Sequence, residues 1–362
     1  MESKHIAILD VDGKKLYDMA LMEGLREYND IKVHIYSDFT TQEVRGKEYY
    51  RKDSSLLRHL WDTFRTMRDA KKHGVKLLIT YIKQLNLKTM ITVVMAKLYR
   101  LKSLGIEHDI APLVEGKARV LHRLVHNYLL DHIVVHNHTA YDQLMEHISH
   151  SKSSKLLYIK HGHYLDSIVK ETPKELACHK MGLDKNRKYM VIMADVLSKY
   201  HGVDMLIEAM SHLGEGIDLI IAGRVIENEA FESHKRLIKE LKLKEQILWM
   251  PDLSLEDQEM LIFASEVMVF PYDKSYSNDA ILKAMSYSRA VIASDIMVHQ
   301  ELIQDRFNGL LFKGGDGKAL VEVLQYFFEY KYLVNDLPRE AFKLIRDNYS
   351  WKVTAQGYLK LI

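Results

Sequence analysis

Two places in this chain set small polar residues and a cation directly after an apolar strand. Ser275-Tyr276-Ser277-Asn278-Asp279 follows the apolar run Val267–Pro271 and leads into an amphipathic stretch ending at Tyr287. Ser277 or Asn278 suits the cap of a helix. The first N–H groups of such a helix, with the positive end of its dipole, can hold a phosphate. Asp279 works against that use, because its carboxylate competes for the same spot, and an ordinary capped helix is the competing reading. Lys283, one turn further on, either adds positive charge or faces solvent. Arg224 follows Gly223, which closes the run Ile217–Gly223. Its guanidinium can grip a phosphate in bidentate fashion or pair with Glu227 or Glu229.

Four histidines close two other apolar runs, as His136-x-His138 and His161-x-His163. They could offer four nitrogens to a metal. No acidic or cysteine partner stands at ligand spacing, so the expectation is hydrogen-bonding groups and no metal. No Gly-x-Ser-x-Gly elbow and no Gly-x-Gly-x-x-Gly fingerprint occurs, which argues against serine hydrolase and NAD chemistry.

The elements that must carry these residues alternate. Val191–Met193, Ile217–Gly223, Ile247–Met250, Val267–Pro271 and Ala290–Ser294 read as strands. Val203–Leu213, Glu229–Leu241, Leu255–Ala264 and Asp279–Tyr287 read as the helices between them. Strands joined through helices imply a parallel sheet, whose ligands gather at the carboxyl ends of its strands. The first half begins the same way: strand Ile6–Asp10, helix Leu16–Glu27, strand Ile31–Tyr36. It resumes with strand Ile133–His136, helix Ala140–Ser149 and strand Leu156–Lys160. Between these, residues 55–104 read as a helical insertion. The polar stretch 169–188 reads as the interdomain linker.

With 362 residues, 47% hydrophobic and 28% charged, the chain suits two soluble domains. A net charge of +2 gives no nucleic-acid signature. One cysteine, Cys178, implies a reducing compartment, and no signal peptide or apolar run of membrane-spanning length is read. The expected location is the cytoplasm. The insertion is basic: Arg or Lys at 58, 65, 68, 71, 72, 76, 83, 88, 97, 100 and 102 face only Asp62 and Asp69. Leu57, Leu60, Trp61, Phe64 and Met67 recur at helical spacing. Such faces suit an anionic membrane surface across 58–102, or simply pack on the domain with their lysines solvated.

The second half resembles the donor-nucleotide domain of family 4 retaining glycosyltransferases. Tyr200-His201-Gly202-Val203 through Ala209, Leu219–Gly223, Pro271–Ser294 with Ala284-Met285, and Glu301-Leu302-Ile303 through Phe312 carry the likeness. Tyr349-Ser350-Trp351 is similar to the start of the helix that in this family crosses back to the first domain. The resemblance implies a GT-B fold, two Rossmann-like domains with parallel sheets facing across a cleft. It implies an acceptor-side domain at 1–178, a donor domain at 179–345, and a returning helix at 346–362. It implies a sugar moved, with retention, from a UDP- or GDP-linked donor to a glycan or lipid-linked acceptor, as in polysaccharide biosynthesis, without a metal cofactor. His161 matches the family's histidine beside the transferred sugar. His136, His138 and His163 would line the acceptor cleft. Gly13 and Lys14 fall where the first domain meets the donor phosphates. Lys199, Arg224 and Ser275 through Asp279, with Lys283, would hold the donor.

This chain departs from the family at defined positions. Its two usual glutamates are Ser275 and Lys283 here, its clamping Arg and Lys fall near Asp195 and at His201, and its signature glycines are Ser277 and Asn278. Two other readings follow: a catalytically silent GT-B subunit that binds glycan or supports a partner transferase, and a GT-B sugar-nucleotide epimerase or hydrolase.

Overall fold

The computed structural model describes residues 3–10, 15–37, 47–48, 55–82, 87–108, 110, 119–165, 171–225 and 228–362. The chain forms two compact units, Met1–Gly162 with Tyr349–Ile362, and His163–Asn348. Each is built on one parallel sheet, so the expected pair of parallel-sheet α/β domains is present.

The first sheet has seven strands in the order β3-β2-β1-β4-β5-β6-β7. They are β1 Lys4–Leu9, β2 Ile31–Ser37, β3 Lys47–Glu48, β4 Val75–Tyr81, β5 Lys102–Glu107, β6 His132–Val135 and β7 Leu156–Tyr158. Every pairing is parallel. Ile6, Ala7, Ile8 and Leu9 are fully buried, as a strand covered on both faces requires.

The expectation of a helical insertion over 55–104 is corrected. Helix Leu56–Lys72 ends at His73, Gly74 turns the chain with φ 68°, and β4 follows. Helix Leu87–Leu98 then leads to β5. Two strand–helix repeats of the sheet lie where the sequence reading placed helix alone. The run Val75-Lys76-Leu77-Leu78-Ile79-Thr80-Tyr81 fits a helical stripe and a buried strand equally by periodicity. Its β-branched residues and the preceding glycine decide for strand.

The second sheet has six strands in the order β10-β9-β8-β11-β12-β13. These are β8 Lys188–Leu197, β9 Ile217–Val225, β10 Ile247–Met250, β11 Val267–Phe270, β12 Ala290–Ser294 and β13 Leu310–Phe312, all parallel. The linker expected at 169–188 contains a helix, Lys174–Met181, that belongs to this unit. Lys174 Nζ donates to Glu266 Oε1 at 2.6 Å and to the Arg187 carbonyl at 2.9 Å, and Cys178 is fully buried. The division therefore falls at Gly162–His163, ahead of residue 178, because this helix has apolar and charged partners in the second unit.

The terminal helix Trp351–Leu359 joins the core of the first unit. Trp351, Ala355 and Tyr358 pack with Ile6, Ile8, Leu21 and Leu25. The Trp351 ring lies flat against Gly162, where an added Cβ would meet it at 2.2 Å. Helix Leu56–Lys72 is seated in an unusual sense. Its buried residues are His59, Asp62, Thr63, Thr66, Met67 and Ala70, while Leu57 is 80% and Trp61 56% exposed. His59 Nε2 lies 3.0 Å from the Lys88 carbonyl and Asp62 accepts from Arg58 Nε at 3.0 Å, while Asp62 Oδ1 and Thr66 Oγ1 are buried with no hydrogen-bond partner among the described residues.

Candidate functional site

In the second sheet the strand order runs outward in both directions from neighbours β8 and β11. Ligands of such sheets bind outside the carboxyl ends at that reversal. The chain leaves β8 into Ser198–Gly202 and leaves β11 into Pro271–Asn278. The two loops are joined there. Asp273 N donates to the Tyr200 carbonyl at 3.0 Å, and the His201 ring stands edge-on to Tyr272 with centroids 4.6 Å apart. Gly202 makes this approach possible. It sits at φ 63°, and a Cβ would lie 2.2 Å from the Pro271 carbonyl oxygen.

His201 occupies the position where the resemblance expects a lysine. Its Nδ1 accepts from Ser198 N at 3.0 Å, which folds the ring back on its own turn. Burial pushes the imidazole below its ordinary pKa, and the bond from Ser198 opposes this only in part. The position thus holds a neutral ring, and the cation of the turn is exposed Lys199, whose Nζ lies 5.1 Å from the Tyr200 ring.

The Ser275–Asp279 turn is closed by its own hydroxyls. Ser275 Oγ donates to the Ser277 carbonyl at 2.7 Å and accepts from Ser277 N at 3.2 Å. Ser277 Oγ accepts from Asp279 N at 3.3 Å. Asn278 stands at the cap of helix Asp279–Ser286 without a side-chain cap bond, so Ser277 performs the capping. The next two amides, Ala280 and Ile281, have no acceptor within the helix and point from its positive end. Tyr276 is buried, with Lys274 Nζ 5.2 Å from its ring. Lys283 reaches Gln258 Oε1 at 3.2 Å. It is therefore committed to a neighbouring helix rather than simply facing solvent.

Arg224 lies one strand away, at the end of β9. Its partner among the described residues is Asp252, at 3.7 Å, rather than the sequence candidate Glu229, and Glu227 lies outside the described residues. Both side chains are mostly exposed, and such pairs contribute about 0–1 kcal/mol, so the guanidinium stays available to an anion. Gly223 before it has φ 142°, and a Cβ would lie 2.1 Å from the Ala194 carbonyl oxygen.

Behind the loop, Ser294 Oγ donates to the Tyr272 carbonyl at 2.6 Å and His299 Nδ1 lies 2.9 Å from the Ser294 carbonyl. Burial pulls His299 down to about 4, so it is neutral and Nδ1 carries the proton. The unfolded chain, with ordinary histidine, binds a proton that the folded state refuses between pH 4 and 6.5. Stability contributed by this ring is therefore complete above that window and lost as pH falls through it. By pH 5 the expected loss is about 2 kcal/mol. Urea midpoints at pH 7 and pH 5 check this, and His299→Asn should shrink the difference by about that amount.

In the first unit, Gly13 and Lys14 lie outside the described residues. His161 and His136 come together with residues the sequence reading passed over. Ring centroids of Tyr17 stand 5.0 Å from His161, 5.6 Å from His136, 4.9 Å from His108 and 4.9 Å from Trp351. His136 Nδ1 lies 2.8 Å from the Ile159 carbonyl and must donate to it. Its Nε2 then accepts from the Tyr17 hydroxyl at 3.2 Å, which in turn lies 2.8 Å from the Tyr358 hydroxyl. Burial raises the Tyr358 pKa, so this hydroxyl keeps its proton to donate. Tyr17→Phe removes the centre of this buried chain. The expected cost is about 1–3 kcal/mol, read as a lower denaturation midpoint.

His138 does not join this group. It begins helix His138–Met145, and its ring packs on Tyr158 with centroids 4.0 Å apart. His163 is buried and belongs to the second unit. His108 follows β5, a strand that begins inside the stretch 55–104 and runs past it, so only recognising β5 finds it.

Comparison with known proteins bears on the second unit. Residues 179–344 match the family model described as glycosyl transferases group 1. An uncharacterized glycosyltransferase, MJ1069, of Methanocaldococcus jannaschii is 25% identical over 170 residues, 46% of this chain and 42% of that protein. The match thus spans less than half of that relative's length. A glycosyltransferase structure from Rickettsia africae superposes with a TM-score of 0.77 at 18% identity, over 100% of this chain and 98% of that one. Anabaena HepE in complex with UDP-glucose gives 0.78 at 13% identity, over 99% of both chains. These likenesses match the two parallel-sheet domains to GT-B glycosyltransferase structures. Residues 179–344 are therefore similar to the glycosyl transferases group 1 model, on a chain with the GT-B fold.

Proposed function

We propose that this protein is a retaining glycosyltransferase that moves a sugar from a UDP- or GDP-linked donor to a glycan or lipid-linked acceptor. The observation that carries the proposal is the pair of joined loops, Ser198–Gly202 and Pro271–Asn278, at the strand reversal of a unit similar to the group 1 model. The helix amino end after Asn278 offers amides, and Lys199 and Arg224 offer charge, to a diphosphate. Charge developing on the departing nucleotide would be stabilised by these groups without a metal. The complex of HepE with UDP-glucose supports the choice of a nucleotide-linked sugar. His161 would hydrogen-bond the transferred sugar.

The test is isothermal titration of the whole chain with UDP, GDP and their glucose conjugates. Micromolar binding of one nucleotide is expected, and Lys199→Ala should weaken it about tenfold, the loss of one charge-assisted contact. No binding at millimolar ligand sinks the reading. The silent-subunit reading is favoured by Ser275, whose hydroxyl is spent within its own turn, and by Lys283, held by Gln258. Nucleotide binding without sugar transfer to any glycan acceptor would decide for it.

We further propose that the exposed apolar and basic residues of helix Leu56–Lys72 rest on an anionic membrane surface, at its cytoplasmic face. No helix among the described residues is long and apolar enough to cross a membrane.

A further inference from the structure

A second histidine group lies in the first unit, apart from the aromatic cluster. Glu107 ends β5, and His122 and His126 stand four residues apart on one helical run, Arg119–Leu124 continuing into a π-helical turn Val125–Leu129. All three are buried, at 3%, 2% and 1% exposure. One ligand atom from each lies within 4.8 Å of the other two. His126 Nε2 is 2.7 Å from Glu107 Oε1, and the two imidazoles are stacked with centroids 6.0 Å apart. His122 Nδ1 is buried with no hydrogen-bond partner among the described residues.

A buried imidazole without a partner is costly, and a carboxylate beside two imidazoles in an apolar interior is an unusual arrangement to keep. A divalent cation accounts for the convergence of the three side chains. We propose that Glu107, His122 and His126 bind one zinc ion. Two histidines and one carboxylate form a known zinc donor set, with ligands about 2.0–2.2 Å from the metal and a fourth position for water. The frame is already fixed: Asn127 Oδ1 accepts from Ser149 N at 2.9 Å, and Lys155 Nζ donates to the Asn127 and Leu130 carbonyls at 3.0 and 2.7 Å.

The ion would tie the carboxyl end of β5 to the helix that follows residues 111–118. Glu107 is followed directly by His108, so the same tie sets where His108 meets Tyr17. The expectation of a metal-free chain concerned His136, His138, His161 and His163, none of which belongs to this trio. The inference stands on the first unit alone and does not depend on nucleotide binding.

The experiment uses the whole chain, stripped with chelator and dialysed against low-micromolar Zn²⁺. One zinc per chain is expected by elemental analysis, with visible ligand-field absorption when Co²⁺ replaces it. His122→Gln and Glu107→Gln should each weaken zinc binding by more than about 100-fold, beyond what loss of a supporting residue costs. A His5→Asn/His34→Asn variant, altering a different stacked pair, should not change it. Circular dichroism of metal-free His122→Gln should match the metal-free parent, and zinc should raise the melting temperature of the parent alone. Substoichiometric zinc in the parent, or zinc uptake unchanged by His122→Gln and Glu107→Gln, overturns the proposal.

Discussion

Gly202→Ala is expected to destabilise the second unit by about 2–5 kcal/mol, from backbone strain and overpacking together. The residue is held at φ 63°, where an L side chain is strained. Its Cβ would enter within 2.2 Å of the Pro271 carbonyl oxygen. That obstacle is backbone and cannot rotate aside. The loops after β8 and β11 must part, and the bond from Asp273 N to the Tyr200 carbonyl is the first to go. If those loops hold a diphosphate, affinity for the nucleotide should fall by more than about tenfold, one lost charge-assisted contact at least. Gly315 is the control. It also has positive φ, 73°, but no atom within 4 Å of its would-be Cβ. Gly315→Ala should therefore show only the strain, about 1–2 kcal/mol, and leave nucleotide titration unchanged. Equal urea midpoints for the two variants would refute the tight loop joint.

The second unit was legible because its strands are short apolar runs separated by clear helix signals. Ile247–Met250, Leu255–Ala264 and Ala290–Ser294 end where the residue pattern places them. β8 exceeds the expected Val191–Met193 at both ends. A register shift between Met193 and Val196 lets it continue past a break that the pattern read as its end. The first unit was legible only at its rims. Between 55 and 104 a basic, helix-rich composition masked β4 and the start of β5, whose end carries Glu107 with His108 just beyond. Composition could not separate a helix face from a strand buried on both sides.

The sequence points to Arg224 after β9 and to the loop after β11 as places for chemistry, and the observed strand order adds the loop after β8. What the sequence left open was which polar atoms are spent internally. Ser275, Ser277 and His201 each use a side-chain atom on their own loop. Lys283 is engaged by a residue 25 positions away. Such local and distant closures depend on loop geometry that residue type does not encode.

Removing two apolar side chains should release the protein from anionic vesicles. A soluble helix normally buries its large apolar residues, yet Leu56–Lys72 turns Thr63 and Thr66 inward and leaves Leu56, Leu57, Leu60, Trp61 and Phe64 exposed. Neighbouring helix Leu87–Leu98 adds exposed Leu87, Val94 and Leu98. Trp61 and Phe64 stack with centroids 5.7 Å apart, which makes a compact apolar ridge. Arg68, Lys71 and Lys72 stand exposed on the same helix. Ridge and charge together fit a lipid interface, where each apolar side chain contributes about 1.5–3 kcal/mol and each cation about 1 kcal/mol. The double variant Leu57→Ser/Trp61→Ser should thus weaken partitioning into phosphatidylserine-rich vesicles by about 100-fold or more. Its urea midpoint should stay within about 0.5 kcal/mol of the parent, because neither side chain is in the core. Arg68→Glu/Lys71→Glu should reduce binding less, and the parent's own binding should weaken as salt rises. Co-sedimentation with anionic and with neutral vesicles makes the measurement. A parent chain that stays in the supernatant with both ends the membrane reading, and equal binding to both would remove the electrostatic half of it.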